Sequence, residues 1–245
     1  MKHNIHHKYE KDHWWFKNRR MVMRHALYKI KLLENKELLE VGCGTGGNLK
    51  YLFTDIKNKY GIEIDKDALA YAKNSCKDSN ISWGDANSLH DIKMKFDIIA
   101  FLDVLYHEKI KNVENVLKQA HNKLNDDGYL ILTEPAFKIL IGHHSKAVKT
   151  KRRFKKNELE KILLKAGFNK IKFAKYWGYL TFLVLLMKRR LVEKLLPLSF
   201  NNEGTDLISI PVIDNFFLLV AKFEMIFFRK LNIPFGNSIL IIVQK

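Results

Sequence analysis

The sequence predicts an α/β protein built on a doubly wound, seven-stranded sheet, and three observations support that fold class. Strand-like apolar runs at 37–42, 59–64, 80–83, 96–102 and 128–134 alternate with helical patterns near 46–55, 66–77 and 110–124, the rhythm of parallel strands joined by crossover helices. The first run passes directly into the glycine loop Gly42-Cys43-Gly44-Thr45-Gly46-Gly47, as a strand does at the carboxyl edge of such a sheet. Two further runs, 169–175 and 238–243, bring the strands to seven and leave residues 176–236 inserted between the last two.

Local signals support each element. Asp126-Asp127-Gly128 supplies the turn before the fifth strand, and the helix near 155–166 ends at Gly167, where a left-handed cap fits. At 245 residues, 47% of them hydrophobic, the chain can bury one α/β domain with an appendage. Its expected division is an N-terminal helical lid over 1–34, a ligand-binding domain over 35–175 and 237–245, and a helical insertion over 176–236. Cys43 and Cys76 form no disulfide pattern, and no charged-then-apolar leader precedes the domain, so the expected location is cytoplasmic.

The glycine loop points to a nucleoside. Gly42, Gly44 and Gly46 let bare backbone approach a ligand, and Glu63, 21 positions after Gly42, is placed to take both ribose hydroxyls. Gly42, Gly44 and Gly47 also fit the Gly-x-Gly-x-x-Gly pattern of dinucleotide sites, but two details favour another ligand. Glu40 lies two residues before the first glycine, where a carboxylate suits a cationic sulfonium amino acid better than a pyrophosphate. Gly84-Asp85-Ala86 follows the apolar segment Ile81 to Trp83 and presents Asp85 to an adenine amino group.

Together the glycine loop with Glu40, Gly61-Ile62-Glu63 and Gly84-Asp85-Ala86 resemble the motifs of class I S-adenosylmethionine-dependent methyltransferases. The resemblance implies a Rossmann-like sheet and S-adenosyl-L-methionine as cofactor, held by Glu40, Gly42, Gly44, Gly46, Glu63, Asp85 and Ala86, with Asp103 on the cofactor side.

Charge is unevenly distributed. Residues 138–190 hold sixteen Lys or Arg against Glu158 and Glu160, so +14 of the net +17 falls in this stretch. Such a block implies an anionic partner, whether nucleic acid, phospholipid headgroups or a phosphate-bearing substrate; a solvated lysine-rich surface is the plain alternative. Trp177 to Met187 is an uncharged apolar run bracketed by Lys175 and Lys188-Arg189-Arg190, too short for the roughly 20 residues of a bilayer span. Its cationic flanks and aromatic end suit a membrane interface. Residues 207–228 repeat the theme, with Asn215, Lys222 and Arg229 at seven-residue spacing as a narrow polar stripe. A helical lid packed on the domain, or a homodimer contact, accounts for the same pattern.

The opening His13-Trp14-Trp15-Phe16-Lys17-Asn18-Arg19-Arg20 resembles the His-Trp-Trp-Phe-x-x-Arg-Arg start of a group of prokaryotic methyltransferases linked to cell-surface glycan or lipid-linked saccharide pathways. The ending Pro234-Phe235-Gly236-Asn237-Ser238 resembles that group's Pro-Phe-Gly-x-Ser close. Between them stand Pro135-Ala136-Phe137 for Pro-Ala-Tyr, His143-His144-Ser145 for Ser-His-Asp, and Lys149-Thr150-Lys151-Arg152-Arg153-Phe154 for Gly-His-x-Arg-Arg-Tyr. Ser145 and Lys149-Thr150 are the departures. Arg152 and Arg153 are candidate substrate contacts, with Trp14, Trp15 and Arg19 from a cluster that either closes over the site or packs as a helix on the sheet.

Methyl transfer needs in-line alignment, exclusion of water and, for a hydroxyl acceptor, a base. The acceptor side lies above the carboxyl ends of the fourth and fifth strands, which makes His144 the first candidate base and His107 the second. The leading reading is transfer to oxygen of a sugar, lipid-linked saccharide or other small anionic acceptor, with the enzyme peripheral at the cytoplasmic membrane face. A nucleic-acid methyltransferase is second, weakened by Leu102-Asp103-Val104-Leu105 where base N-methylation needs Asn/Asp-Pro-Pro-Tyr; a non-catalytic cofactor-binding scaffold is third. His3, His6 and His7 lack metal-ligand company, and no metal site is expected.

Overall fold

Strands β1 (Glu37–Val41), β2 (Asn58–Glu63), β3 (Asn80–Trp83), β4 (Phe96–Leu102), β5 (Leu124–Pro135), β6 (Lys170–Trp177) and β7 (Ser238–Gln244) form one sheet in the order β3-β2-β1-β4-β5-β7-β6. This computed structural model describes residues 9–30, 36–187 and 211–245. β1 to β5 pair in parallel, while β7 runs antiparallel between β5 and β6. The strand order reverses beside β1, the switch point at which open α/β sheets bind ligands. β4, Phe-Asp-Ile-Ile-Ala-Phe-Leu, is buried along nearly all its length because both faces of a central parallel strand are covered.

Helices α1 (Trp14–Lys29), α2 (Gly47–Tyr51), α3 (Lys66–Ser75), α4 (Val113–Lys123), α5 (His143–Ala147), α6 (Lys156–Lys165), α7 (Tyr179–Met187) and α8 (Pro211–Lys230) flank the sheet. Side chains set their starts: Asp65 accepts from the N–H groups of Asp67 and Ala68 to cap α3, and Asn112 accepts from Asn115 to cap α4. α6 ends as expected, with Gly167 at φ 105, its N–H reaching the Leu164 carbonyl and that of Phe168 reaching Leu163. One apolar core runs from Val22, Met23, Ala26 and Leu27 of α1 through the strands to Met225 and Phe228 of α8. α1 also packs on α8 directly: the Trp14 ring stacks on Phe217 at 4.9 Å, and His13 Nε2 lies 3.7 Å from Asp214 Oδ1.

Several boundaries differ from the sequence expectation for local reasons. α2 stops at Tyr51 rather than near 55, because the Asn48 carbonyl takes the N–H groups of both Leu52 and Phe53. Asp126-Asp127-Gly128 lies inside β5 as an irregularity, not before it: Phe96 pairs with Leu124 and Ile98 with Tyr129, while Asp127 turns the chain at φ 59. The apolar run 177–187 divides at Gly178, φ 73, so that Trp177 closes β6 and the helix starts at Tyr179. Lys188, Arg189 and Arg190, the histidines at 3, 6 and 7, and residues 188–210 of the insertion lie outside the described residues. Among the described residues no helix is long and apolar enough to cross a membrane, and Cys43 and Cys76 are free and buried.

Candidate active site

β1 delivers Glu40 to the carboxyl edge fully buried, and burial pushes its carboxyl from an ordinary 4.5 up to about 8. Asn48, in α2, donates to Glu40 Oε1 at 2.6 Å. Arg19 of α1 donates to Asn48 Oδ1 at 2.8 Å and to Asp103 Oδ2 at 2.7 Å, so four side chains tie the ends of β1 and β4 to α1. Glu40 Oε2 is buried with no hydrogen-bond partner among the described residues, an orphan that a ligand cation would satisfy.

Gly42, Gly44 and Gly46 take φ values of 69, 57 and 88, the left-handed region that favours glycine. A Cβ on Gly46 would lie 2.6 Å from Cys76 Sγ, whereas one on Gly44 would meet nothing within 4 Å, so Gly44 faces open space. Glu63 borders that space. Its Oε2 accepts from the Gly44 N–H at 2.9 Å and its Oε1 from the Asp65 N–H at 2.8 Å, which fixes the carboxylate plane and leaves acceptor capacity on each oxygen for a diol. Asp85 caps the 3-10 turn Ala86–Asp91, with Oδ1 accepting from the Asn87 N–H at 2.9 Å and from Asn87 Nδ2 at 2.8 Å. Parallel register therefore sets Asp103, Glu40 and Glu63 on adjacent strand ends, with Asp85 and Ala86 just past β3.

Sequence reasoning misses Glu134, which shapes the loop after β4. Its Oε1 accepts from the N–H groups of Val104 at 3.2 Å and Leu105 at 2.7 Å, and its Oε2 from Tyr106 at 3.0 Å. Burial, followed by the nearby Asp103, holds this carboxyl well above the ordinary range. The available signal was a carboxylate closing an apolar strand, Thr133-Glu134-Pro135. Around it, Asp103 adopts φ 61 and Phe137 φ 54, left-handed conformations of the kind that gather where a fold positions a site. Burial, with the carboxylates of Asp103 and Glu134, pushes the Tyr106 phenol up.

The remaining candidates divide. His107 Nδ1 accepts the Lys109 N–H at 3.1 Å, so its neutral ring carries the proton on Nε2 and presents a donor there rather than a base. Burial and then Lys109 also lower its pKa. His144 lies in α5, its side chain outside the described residues. Arg152 donates to the Ile110 carbonyl at 2.9 Å, and Arg153 to the Ala136 carbonyl at 3.0 Å and to Ser145 Oγ at 3.3 Å, so both brace the loops after β4 and β5. Trp14 faces α8, but Trp15 lies against the Arg19 guanidinium at 4.7 Å and 6.3 Å from Trp177. The aromatic cluster is thus part of a helix packed into the core, with Trp15 and Arg19 on the site side.

A second set of orphans sits beside β5. Trp177 Nε1, Tyr179 Oη and Asn237 Oδ1 are buried without hydrogen-bond partners among the described residues. Ser238 pairs with both Pro135 and Trp177, and Ala136 donates its N–H to the Asn237 carbonyl at 2.9 Å, which roots all three at the carboxyl edge. Phe137, Phe182 and Phe235 line the same corner with ring centroids 5.4 to 5.5 Å apart in sequence.

Residues 15–172 match a family profile described as a methyltransferase domain, well over half the chain. The chain belongs to that family. This methyltransferase is similar in fold to an S-adenosylmethionine-dependent methyltransferase from Archaeoglobus fulgidus, with 18% identity, a TM-score of 0.56 and coverage of 92% of this chain and 94% of that one. A phosphoethanolamine N-methyltransferase 2 from Haemonchus contortus in complex with S-adenosyl-L-methionine gives 16% identity and a TM-score of 0.55, over 91% of this chain and 52% of that one. An uncharacterized protein of Methanocaldococcus jannaschii is 28% identical over 120 residues, 48% of this chain and 45% of that protein, so the chain spans under half of that relative's length. The methyltransferase uses S-adenosyl-L-methionine. Its own residues fit that cofactor: an unpartnered buried carboxylate oxygen on Glu40 for a cation, an open cradle at Gly44, and a braced carboxylate at Glu63 for a ribose diol.

Proposed function

We propose that the methyltransferase transfers a methyl group to a hydroxyl oxygen of a sugar, in a lipid-linked saccharide or another small anionic acceptor at the cytoplasmic membrane face. The observation that carries this reading is the orphan trio Trp177 Nε1, Tyr179 Oη and Asn237 Oδ1. One donor, one acceptor and one group that is both match the mixed hydrogen bonding of a polyol, and aromatic walls suit the apolar faces of a sugar ring. The basic loop carrying Lys146, Lys149, Lys151, Arg152 and Arg153 supplies positive charge for a phosphate-bearing acceptor.

S-adenosylmethionine supplies an electrophilic sulfonium methyl group. Glu63 would hold the ribose, Asp85 and Ala86 the adenine, and Glu40 with the glycine loop the cationic amino-acid end. Glu134 and the Arg19–Asp103 pair keep the loop after β4 in place, so that acceptor and methyl donor meet in line. Proton removal falls to His144, since the His107 ring is committed at Nδ1. In this reading residues 35–175 and 237–245 form the cofactor domain, 1–34 the N-terminal cover and 176–236 the acceptor-side insertion.

Methyl transfer from labelled cofactor to nucleotide-linked and lipid-linked saccharides, measured beside RNA, tests the assignment. Saccharide O-methylation is expected, and Tyr179→Phe should raise the acceptor KM about fivefold while the unfolding temperature holds or rises, because the lost hydroxyl has no partner in the free protein. Methylated RNA with untouched saccharides would overturn the reading in favour of a nucleic-acid substrate.

A further inference from the structure

α8 is apolar on two opposite faces. Its inner face sets Ala221, Met225 and Phe228 into the protein, and both of its carboxylates, Asp214 and Glu224, are buried there too. Glu224 takes the N–H of Leu180, which fixes α7 beside it. The outer face presents Val212, Phe216, Leu219, Phe223 and Ile226, a continuous stripe at helical spacing whose first three members are 78%, 61% and 66% exposed. Along one shoulder of that stripe run Asn215, Lys222 and Arg229, all exposed. On α7, which Glu224 holds beside α8, Leu183, Val184 and Met187 are exposed too.

We propose that this face of α7 and α8 docks on an anionic phospholipid surface. α8, 20 residues long, would lie flat in the interface for roughly 30 Å. Its stripe enters the acyl boundary, and its cations reach headgroups while their stems cover apolar surface. Charge selects this occupant. With every carboxylate of α8 turned inward, the charges on the exposed shoulder are the cations Lys222 and Arg229, and a second copy docking on the same stripe would set like charge against like. Bilayer phosphates complement it instead.

The docked orientation has a consequence for the substrate. Phe182 of α7 packs on Phe137 at 5.5 Å, and Phe137 follows the end of β5, so the acceptor corner sits next to the docking face. A lipid-linked acceptor could then be handled with its lipid still in the bilayer. This consequence rests on the saccharide reading; the docking face itself does not.

Sedimentation of the full chain with vesicles tests it without any acceptor. Binding is expected to phosphatidylcholine vesicles containing about a third phosphatidylglycerol, and to weaken about tenfold or more on neutral phosphatidylcholine and with rising salt. Phe216→Gln with Phe223→Gln, and separately Lys222→Glu with Arg229→Glu, should each weaken binding at least tenfold while S-adenosylmethionine affinity stays at the parental value. No vesicle binding would overturn the proposal. So would concentration-dependent dimerisation that Phe216→Gln abolishes while vesicle binding persists unchanged, which would give the stripe to a second copy.

Discussion

Between β1 and β3, three carboxylates from residues 40 to 85 reach the edge of the sheet, and partners from residues 44 to 87 hold each one: Asn48 for Glu40, Gly44 and Asp65 for Glu63, and Asn87 for Asp85. Between β5 and β7 the groups arrive from Trp15 and Arg19, from 103 to 107, from Glu134, from 177 to 182 and from Asn237, and distant chain holds them. The first arrangement is nearly complete before its ligand arrives, as suits a cofactor common to a whole family. Among the described residues, the second retains the unpartnered polar atoms Trp177 Nε1, Tyr179 Oη and Asn237 Oδ1, against Glu40 Oε2 of the first. Arg19 links the two by touching both Asn48 and Asp103. If this division is right, each half can be damaged separately.

The largest effect should come from the acceptor half. His144→Ala is expected to lower turnover by about 10² to 10⁴ with S-adenosylmethionine affinity unchanged, because proton removal is lost while the donor remains bound. Single-turnover kinetics beside calorimetry would separate the two quantities. Near-parental turnover would remove the base from the mechanism and point to an acceptor already ionised, such as a phosphate or carboxylate.

This division also governs what could be read in the sequence. Glu40, Glu63 and Asp85 were legible because each lies within a residue or two of a strand end and a glycine, so local spacing alone places it. All seven strands are legible, since their apolar runs are dense and bounded by turns. Glu134 was hidden because its three N–H donors lie about 30 residues earlier in the chain, and a single carboxylate after an apolar run has no periodicity to mark it. Trp177, Tyr179 and Asn237 meet only through the antiparallel pairing of β6 with β7, a contact between segments some 60 residues apart. Gly178 is hidden in the sequence for the opposite reason. One glycine within a strongly apolar run separates a strand from a helix, and hydropathy registers no break there.

A smaller effect should come from the cofactor half. Glu63→Ala removes the charged acceptor for the ribose diol, which costs roughly 2 to 3 kcal/mol of binding, about 30- to 150-fold in Kd. kcat at saturating cofactor should change far less than Kd, the reverse of the pattern for His144→Ala. A Glu63→Ala protein with unaltered affinity for S-adenosylmethionine would show that the diol is held elsewhere and that the cofactor half is not arranged as drawn.

The smallest effect lies in how pH acts on Glu40. Its folded carboxyl titrates at about 8 against an ordinary 4.5, so between these values the folded protein keeps a proton that the unfolded chain has released. Stability of the cofactor-free protein therefore falls as pH rises from about 4.5 to about 8 and levels off above. Glu40→Gln, neutral at every pH, should remove that fall, leaving the variant more stable than the parent at pH 8 and much closer to it at pH 4.5. Binding should respond the other way. Only the ionised carboxyl attracts a cation, so parental affinity for S-adenosylmethionine, taken relative to Glu40→Gln, should rise with pH up to about 8. Calorimetry and thermal unfolding across this range would then give curves of opposite slope. Parallel curves for parent and variant would mean that Glu40 does not face the cofactor's charge, and that its orphan oxygen serves the free fold or a bound water instead.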